Sequence, residues 1–378
     1  MLWDPRWRTA APTKEHRWAT AVPARPLSSR HCPLRRASTV ARAVARAPGY
    51  AQAVVGFLLL AASAALLAAG AELFAEYAGA AGKRLGVSVL AIGLVLAGAE
   101  PEELVTAIFA SAQHHPGIAA GDAIGANITM LTLVLGLAAL ARPLRFAGRV
   151  RPYALAASAA GVAAGLALAG GGVGRVGGGA LTAFYVLGVA AVWWRERQPP
   201  AFGEAAELAE DQMKASAQSS QPSRPSWYSR AYQSGTVATA LVVLGVIAMA
   251  AGGRLAVAGA ERIVTSLGLA ESVVGLSFVA LATTCELFAL VWAAARRGVD
   301  ELALAGVLGS AAYNATATLG VAALVRPLSV SGISGEAWLA AALPAVLTAW
   351  TLRFNRLGRG AGLVLVLIYG CYLALTLA

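Results

Sequence analysis

The sequence predicts an all-α membrane protein of ten transmembrane helices arranged as two inverted five-helix repeats. Three observations lead there: an apolar composition, ten apolar runs split five and five by a polar break, and a likeness between the two halves. Of 378 residues, 58% are hydrophobic and 13% charged, whereas soluble domains run at roughly 45–50% and roughly 25%. At about 20 apolar residues per crossing, the chain has room for roughly ten spans. A soluble cytoplasmic enzyme is excluded. No phosphate loop, nucleophile elbow or histidine-bearing metal motif appears, so no bond-making chemistry and no cofactor is expected.

In chain order, residues 1–50 come first, with ten basic side chains against Asp4 and Glu15, or +8 of the net +11. No apolar h-region precedes about residue 53, so this stretch reads as a disordered basic arm and not as a cleavable signal. The remaining body is nearly neutral, which speaks against nucleic acid as a partner. The first repeat, 51–194, holds apolar runs at about 53–78, 86–112, 118–141, 153–171 and 178–194. Residues 195–235 come next as a polar cytoplasmic linker, with Pro199-Pro200, the acidic Glu204, Glu207, Glu210 and Asp211, and a Ser/Gln/Pro run. The second repeat, 236–378, holds runs at about 236–260, 270–295, 302–325, 336–352 and 361–378. Cys32, Cys285 and Cys371 are scattered without metal-type spacing.

The halves share more than span count. The run from Leu85 (LGVSVLAIGLVLAGAEPEELVTAIFA) matches that from Leu267 (LGLAESVVGLSFVALATTCELFALVWA), and both lead on to LGLAAL or LGVAAL. The match sets Glu103 opposite Glu286 and Gly125 opposite Gly309. Five is odd, so the second copy enters the bilayer upside down, as in secondary transporters. With the chain after the arm starting outside, sixteen Lys and Arg fall in inner loops and four in outer ones, as the positive-inside rule asks. The basic arm alone opposes that orientation. A multi-pass protein of a prokaryotic inner or plasma membrane is the expectation.

Charged groups at membrane depth cost several kcal/mol, about 3 or more, and so mark function. Glu100, Glu102 and Glu103 lie in the second span, Asp122 in the third and Glu286 in the seventh. On a continuous helix Glu100 and Glu103 share a face while Glu102 points elsewhere, as a structural or surface carboxylate. Thr283 with Glu286, and Ser310 with Asn314, each put oxygens on one side. Asp122 either caps the third helix or supplies the oxygen that its neighbours Ala126 and Met130 lack. Such a set suits a desolvated hard cation, with calcium, sodium and protons competing for the same carboxylates. Gly98, Pro101, Gly125 and Gly309 weaken the helix and free carbonyls for the ion. His114 and His115 read as solvated loop residues, Cys285 as a small buried hydrophobe, and Glu261 and Glu271 as interfacial residues.

At GAEPEEL from Gly98, GDAIGANITM from Gly121, ATTCEL from Ala282 and AGVLGSAAYN from Ala305, the chain resembles the calcium:cation antiporter superfamily, with its sodium/calcium exchangers. The flanks GAELFAEYAGAAGKRLGVS and GLAESVVGLSFVA agree, and the resemblance covers about 55–378. It implies that Glu103 and Glu286 are the central ion-binding carboxylates, with Thr283, Thr284, Ser310 and Asn314 as oxygen ligands. It also implies that the first and sixth helices slide against the core. The first copy departs from the family pattern: Ala99-Glu100 stand for Thr-Ser, Ala126 for Ser and Met130 for Asn. Neutral ligands are lost there while Glu100 and Asp122 add charge.

The expected function is therefore antiport of calcium, or a similar cation, against sodium or protons across the bilayer. Two rivals stay open: a sodium/proton or other proton-coupled exchanger on the same scaffold, and a non-transporting membrane scaffold.

Overall fold

The computed structural model describes residues 33–85, 100–145, 150–196, 235–288, 291–292, 300–329, 333–354 and 356–378. Most of the basic arm, the first half of the second span with Gly98 and Ala99, and nearly all of the linker lie outside the described residues. The chain divides into two units, Met1–Ala47 and Pro48–Ala378. Helix α1 (Pro33–Leu85) begins at Pro33, inside the first unit and inside the stretch expected to be a disordered arm. Every other element belongs to the second unit.

After α1 come α2 (Pro101–Ala112) and α3 (Pro116–Thr129), which runs through a π-helical turn, Met130–Val134, into α4 (Leu135–Ala141). Strand β1 (Leu144–Arg145), α5 (Val150–Leu168), β2 (Gly172–Val173) and α6 (Arg175–Glu196) complete the first half. The second half opens with α7 (Gly235–Leu267). Helix α8 (Glu271–Val274), a π turn (Gly275–Val279) and α9 (Ala280–Thr283) form its next rod. Then come α10 (Asp300–Tyr313), a π turn (Asn314–Thr318), α11 (Leu319–Val325), β3 (Leu328–Ser329), α12 (Ser334–Arg353), β4 (Arg356–Leu357) and α13 (Arg359–Leu377).

Residue chemistry sets the boundaries. Pro101 and Pro116 each open a helix at its first turn, where the missing N–H costs nothing. Gly268, at φ +68, takes the left-handed conformation that ends α7, its N–H bonding to the Val264 carbonyl. Five described helices are long and apolar enough to cross a membrane: Gly49–Phe74, Pro116–Ala141, Thr236–Leu267, Leu304–Val325 and Arg359–Leu377.

From α3 and α10 onward the two halves repeat element by element. Asp300 opens α10 at 184 positions after Pro116 opens α3, and the same interval separates the π turns at Met130 and Asn314. It also separates α4 from α11, β1 from β3, β2 from β4, and the starts of α5 and α12 and of α6 and α13. Contacts repeat too, with the copies exchanged. β1 pairs antiparallel with β4, and β2 with β3. Gly136 on α4 abuts Gly362 on α13, and Gly320 on α11 abuts Gly178 on α6, so close that a Cβ on any of them would lie under 3.0 Å from a partner carbonyl oxygen. Helices α1 and α7 run antiparallel in similarly close contact, Gly56 against Gly259 and Gly70 against Gly245. In lipid, where apolar burial gives little net drive, such backbone proximity is how helices cohere.

Candidate cation-binding site

Two local devices assemble the polar centre. The first is Pro101. Because α2 starts there, Glu100 is the N-cap, with φ −94 and ψ 78, and not a helical residue. The helical face expected for Glu100 and Glu103 therefore does not apply, and Glu100, Glu102 and Glu103 are all buried. The surface position considered for Glu102 is overturned: its side chain pairs with that of Glu100. The second device is a glycine seam. Gly117, Gly121 and Gly125, four apart on α3, lie against Glu271, Ser272, Gly275 and Leu276 of the rod that contains α8. A Cβ on Gly125 would sit 2.3 Å from the Leu276 carbonyl oxygen. This glycine's demonstrable role is close approach of backbones.

The seam places Asp122 of the first half beside Thr283 of the second, whose Oγ1 donates to Asp122 Oδ1 at 3.0 Å. Asp122 sits in the second turn of α3 and is wholly buried. A capping role is overturned, since that helix begins six residues earlier at Pro116. Ser310 Oγ on α10 donates to Glu100 Oε1. Glu103, 0% exposed, has no hydrogen bond to either carboxylate oxygen among the described residues. It lies beside Asn314 and within electrostatic reach of Glu100 and Asp122. Asn314 Oδ1 accepts from Thr318 Oγ1 at 3.1 Å, and Asp122 Oδ2 has no hydrogen bond among the described residues.

Six predicted ligands thus come together from both halves: Glu100, Glu103, Asp122, Thr283, Ser310 and Asn314. Thr284 is buried, its Oγ1 donating to the Ala280 carbonyl at 2.7 Å. Glu286 comes after the turn at Thr284 and is half-buried, the most exposed of the predicted set. Cys285 is exposed, against the expectation of a buried thiol, because that same turn swings it off the packed face. His115 is also not solvated: its ring meets two carboxylates.

Sequence reasoning missed Asn127, buried on α3, whose Nδ2 donates to the Ala311 carbonyl at 2.9 Å and ties α3 to α10. A signal was present, an amide inside an otherwise apolar run. It also missed the edge-on pair Tyr185 and Tyr313, with ring centroids 5.2 Å apart beside the carboxylates.

Among the described residues no Lys, Arg or His pairs with Glu100, Glu103 or Asp122. Each uncompensated buried ion costs several kcal/mol. Carboxylate, hydroxyl and amide oxygens from several helices are the donor set of a hard cation, which would offset that cost. Thr283→Val removes the only hydrogen bond to Asp122 among the described residues. It should weaken binding of a hard cation such as calcium by about ten- to a hundredfold, a hydrogen bond to a charged group being worth about 1.5–3 kcal/mol. Calorimetric titration in detergent measures this. Combining it with Asp122→Asn should give less than the sum of the single losses.

The family described as sodium/calcium exchanger protein matches residues 49–194 and 237–378. The chain belongs to this family. As a member, it is a membrane protein of a cation-antiporter lineage and not of an enzyme family. Among its relatives is CaxA of Alkalimonas amylolytica, which carries the name of a putative antiporter. It is 28% identical over 80% of this chain and 93% of its own length. The inner membrane protein YrbG of Escherichia coli is 27% identical, over 82% and 91%. Among solved structures, the sodium-calcium exchanger NCX_Mj, soaked with sodium and strontium, superposes with a TM-score of 0.54 at 22% identity, covering 85% of this chain and 98% of its own. That likeness concerns the fold.

Proposed function

We propose that this exchanger moves calcium, or a divalent cation like it, against sodium or protons, by alternating access at a midplane site. The scaffold is read as ten spans in two inverted five-helix copies, lying in a prokaryotic plasma or inner membrane. Support for the inversion comes from the antiparallel contact of α1 with α7 and from the contacts that recur with the copies exchanged. Glu103 and Glu286 are the central carboxylates. Glu100, Asp122, Thr283, Thr284, Ser310 and Asn314 complete the shell.

The observation that carries this reading is the buried cluster of Glu100, Glu103 and Asp122, met by hydroxyl and amide groups of the other half and by no basic side chain among the described residues. A divalent ion neutralises two of these charges. Exchange results if the ion's departure requires another cation to take its place, because an emptied cluster of like charges is unstable in lipid. Helices α1 and α7, packed on each other through glycine, are the pair proposed to slide against the remaining helices and to change which face the site opens to.

Labelled calcium uptake into proteoliposomes tests this, with sodium and pH gradients imposed separately. Uptake driven by one outward gradient and abolished by its collapse is the expected result. Uptake indifferent to both gradients would remove the exchange reading. A proton-coupled mechanism is the second reading, favoured by the carboxylates at Glu100 and Asp122 where the family pattern has neutral groups. It expects drive by the pH gradient alone.

A further inference from the structure

His115 closes the turn between α2 and α3, and its ring bridges two carboxylates from other parts of the chain. Nε2 lies 2.5 Å from Glu261 Oε1 on α7, and Nδ1 lies 2.8 Å from Glu271 Oε1 at the start of α8. The ring is half-buried and the two carboxylates are partly exposed. A carboxylate can only accept, so both contacts are satisfied together only by an imidazole with protons on both nitrogens. A neutral ring would turn a lone pair toward one of them. Helix α7 leads into α8 through residues 268–270, with Gly268 in the left-handed conformation and open space around a Cβ there. The His115 bridge spans that joint.

We propose that His115, Glu261 and Glu271 form a proton-operated clasp that fastens the end of α7 to the crossing of α3 with α8, and that loss of one ring proton frees α7. Its effect on turnover rests on the proposed exchange function, in which α7 is a moving helix. The other charged groups described on these elements have partners or positions of their own. On α7, Arg254 stands exposed two turns before Glu261, and Arg262 beside Glu261 turns away to Gln52 of α1, donating at 3.0 Å. On the α2–α3 turn, His114 accepts from Arg326 at 2.8 Å. Glu271 is the charge on α8, and Asp122 lies two turns deeper on α3. The repeat does not supply the histidine twice: 184 residues after His115 stands Val299.

Burial of the ring disfavours its charge, but hydrogen bonding and attraction from Glu271, then Glu261, outweigh burial and raise its pKa above the usual histidine value. A raised folded-state pKa means that the clasp's stability is fully present below the unfolded histidine value, about 6.5. It is lost as pH climbs through the raised one.

The test uses the full chain in two measurements, each at equal pH on both sides. In detergent, the wild type should melt higher than His115→Gln near pH 6, by about 1 °C for each kcal/mol of clasp, and the gap should close near pH 9. His115→Lys, cationic at both values, should keep its advantage at pH 9. In proteoliposomes, counterflow of labelled against unlabelled calcium should be several-fold faster in Glu261→Gln than in wild type near pH 6 and equal near pH 9. A melting gap that ignores pH, or a flux ratio that ignores it, would overturn the clasp. Absence of flux in every variant, with the melting gap still titrating, would remove the exchange reading and leave the clasp standing.

Discussion

Glu103→Gln is expected to abolish the proposed calcium exchange in proteoliposomes while leaving a folded protein that melts at a higher temperature than wild type when calcium is chelated. The two halves of this expectation have one cause. Glu103 is fully buried, has no hydrogen bond to either oxygen among the described residues, and neighbours two more carboxylates. Without a cation it is a net cost to the fold, and an amide of the same shape removes that cost. With a cation bound as proposed, it would be a principal counter-charge. Removing one member of a buried charge pair costs about 3–5 kcal/mol, which is two orders of magnitude or more in apparent affinity. Calorimetry for binding, labelled flux for transport and melting in chelator for stability separate the effects. Wild-type flux from the variant would refute the assignment, and a lowered melting point in chelator would show that the carboxylate has a structural partner.

Gly125→Ala is the second large effect, and it acts through packing. The added Cβ would lie 2.3 Å from the Leu276 carbonyl oxygen and 2.7 Å from the Leu276 Cα. Both are backbone atoms, which no rotamer change can move aside. Helix α3 must part from the α8 rod, at a cost of about 1–3 kcal/mol or more, and Asp122 then separates from Thr283. The variant should show a lowered melting temperature together with weakened calcium binding, although it changes no polar atom. Gly188→Ala is the control, since nothing lies within 4 Å of a Cβ there and alanine favours a helix. It should be neutral or mildly stabilising. A normal melting temperature for Gly125→Ala would show that the seam is looser than the structure places it.

Glu103, Asp122, Thr283, Ser310 and Asn314 were legible because polar groups stand out in apolar runs, and because an internal likeness aligned two weak signals into one. The family and its helical architecture emerged from the same alignment. The arrangement of Glu100 and Glu102 was not legible, since it turns on whether Pro101 lies within a helix or opens it, and either is consistent with an apolar run. Nor was the role of His115, whose partners are 146 and 156 residues away. Local pattern has no means of registering a contact made by tertiary folding alone. Of the glycine seam only Gly125 was singled out, as a residue that weakens the helix, because its packing role depended on what stood opposite. Thr284 could not be foreseen as the place where a rod turns, and with it went the expected burial of Cys285.

The fixed interval of 184 residues between corresponding elements has an energetic consequence. On the proposed inverted arrangement, opening toward one compartment and opening toward the other would use interchangeable sets of contacts, which would place the two conformers close in free energy without any fine tuning. A modest preference of the cargo for one of them then suffices to move the population. Any group present on one face and missing from the other becomes the weight that sets which way the empty carrier rests.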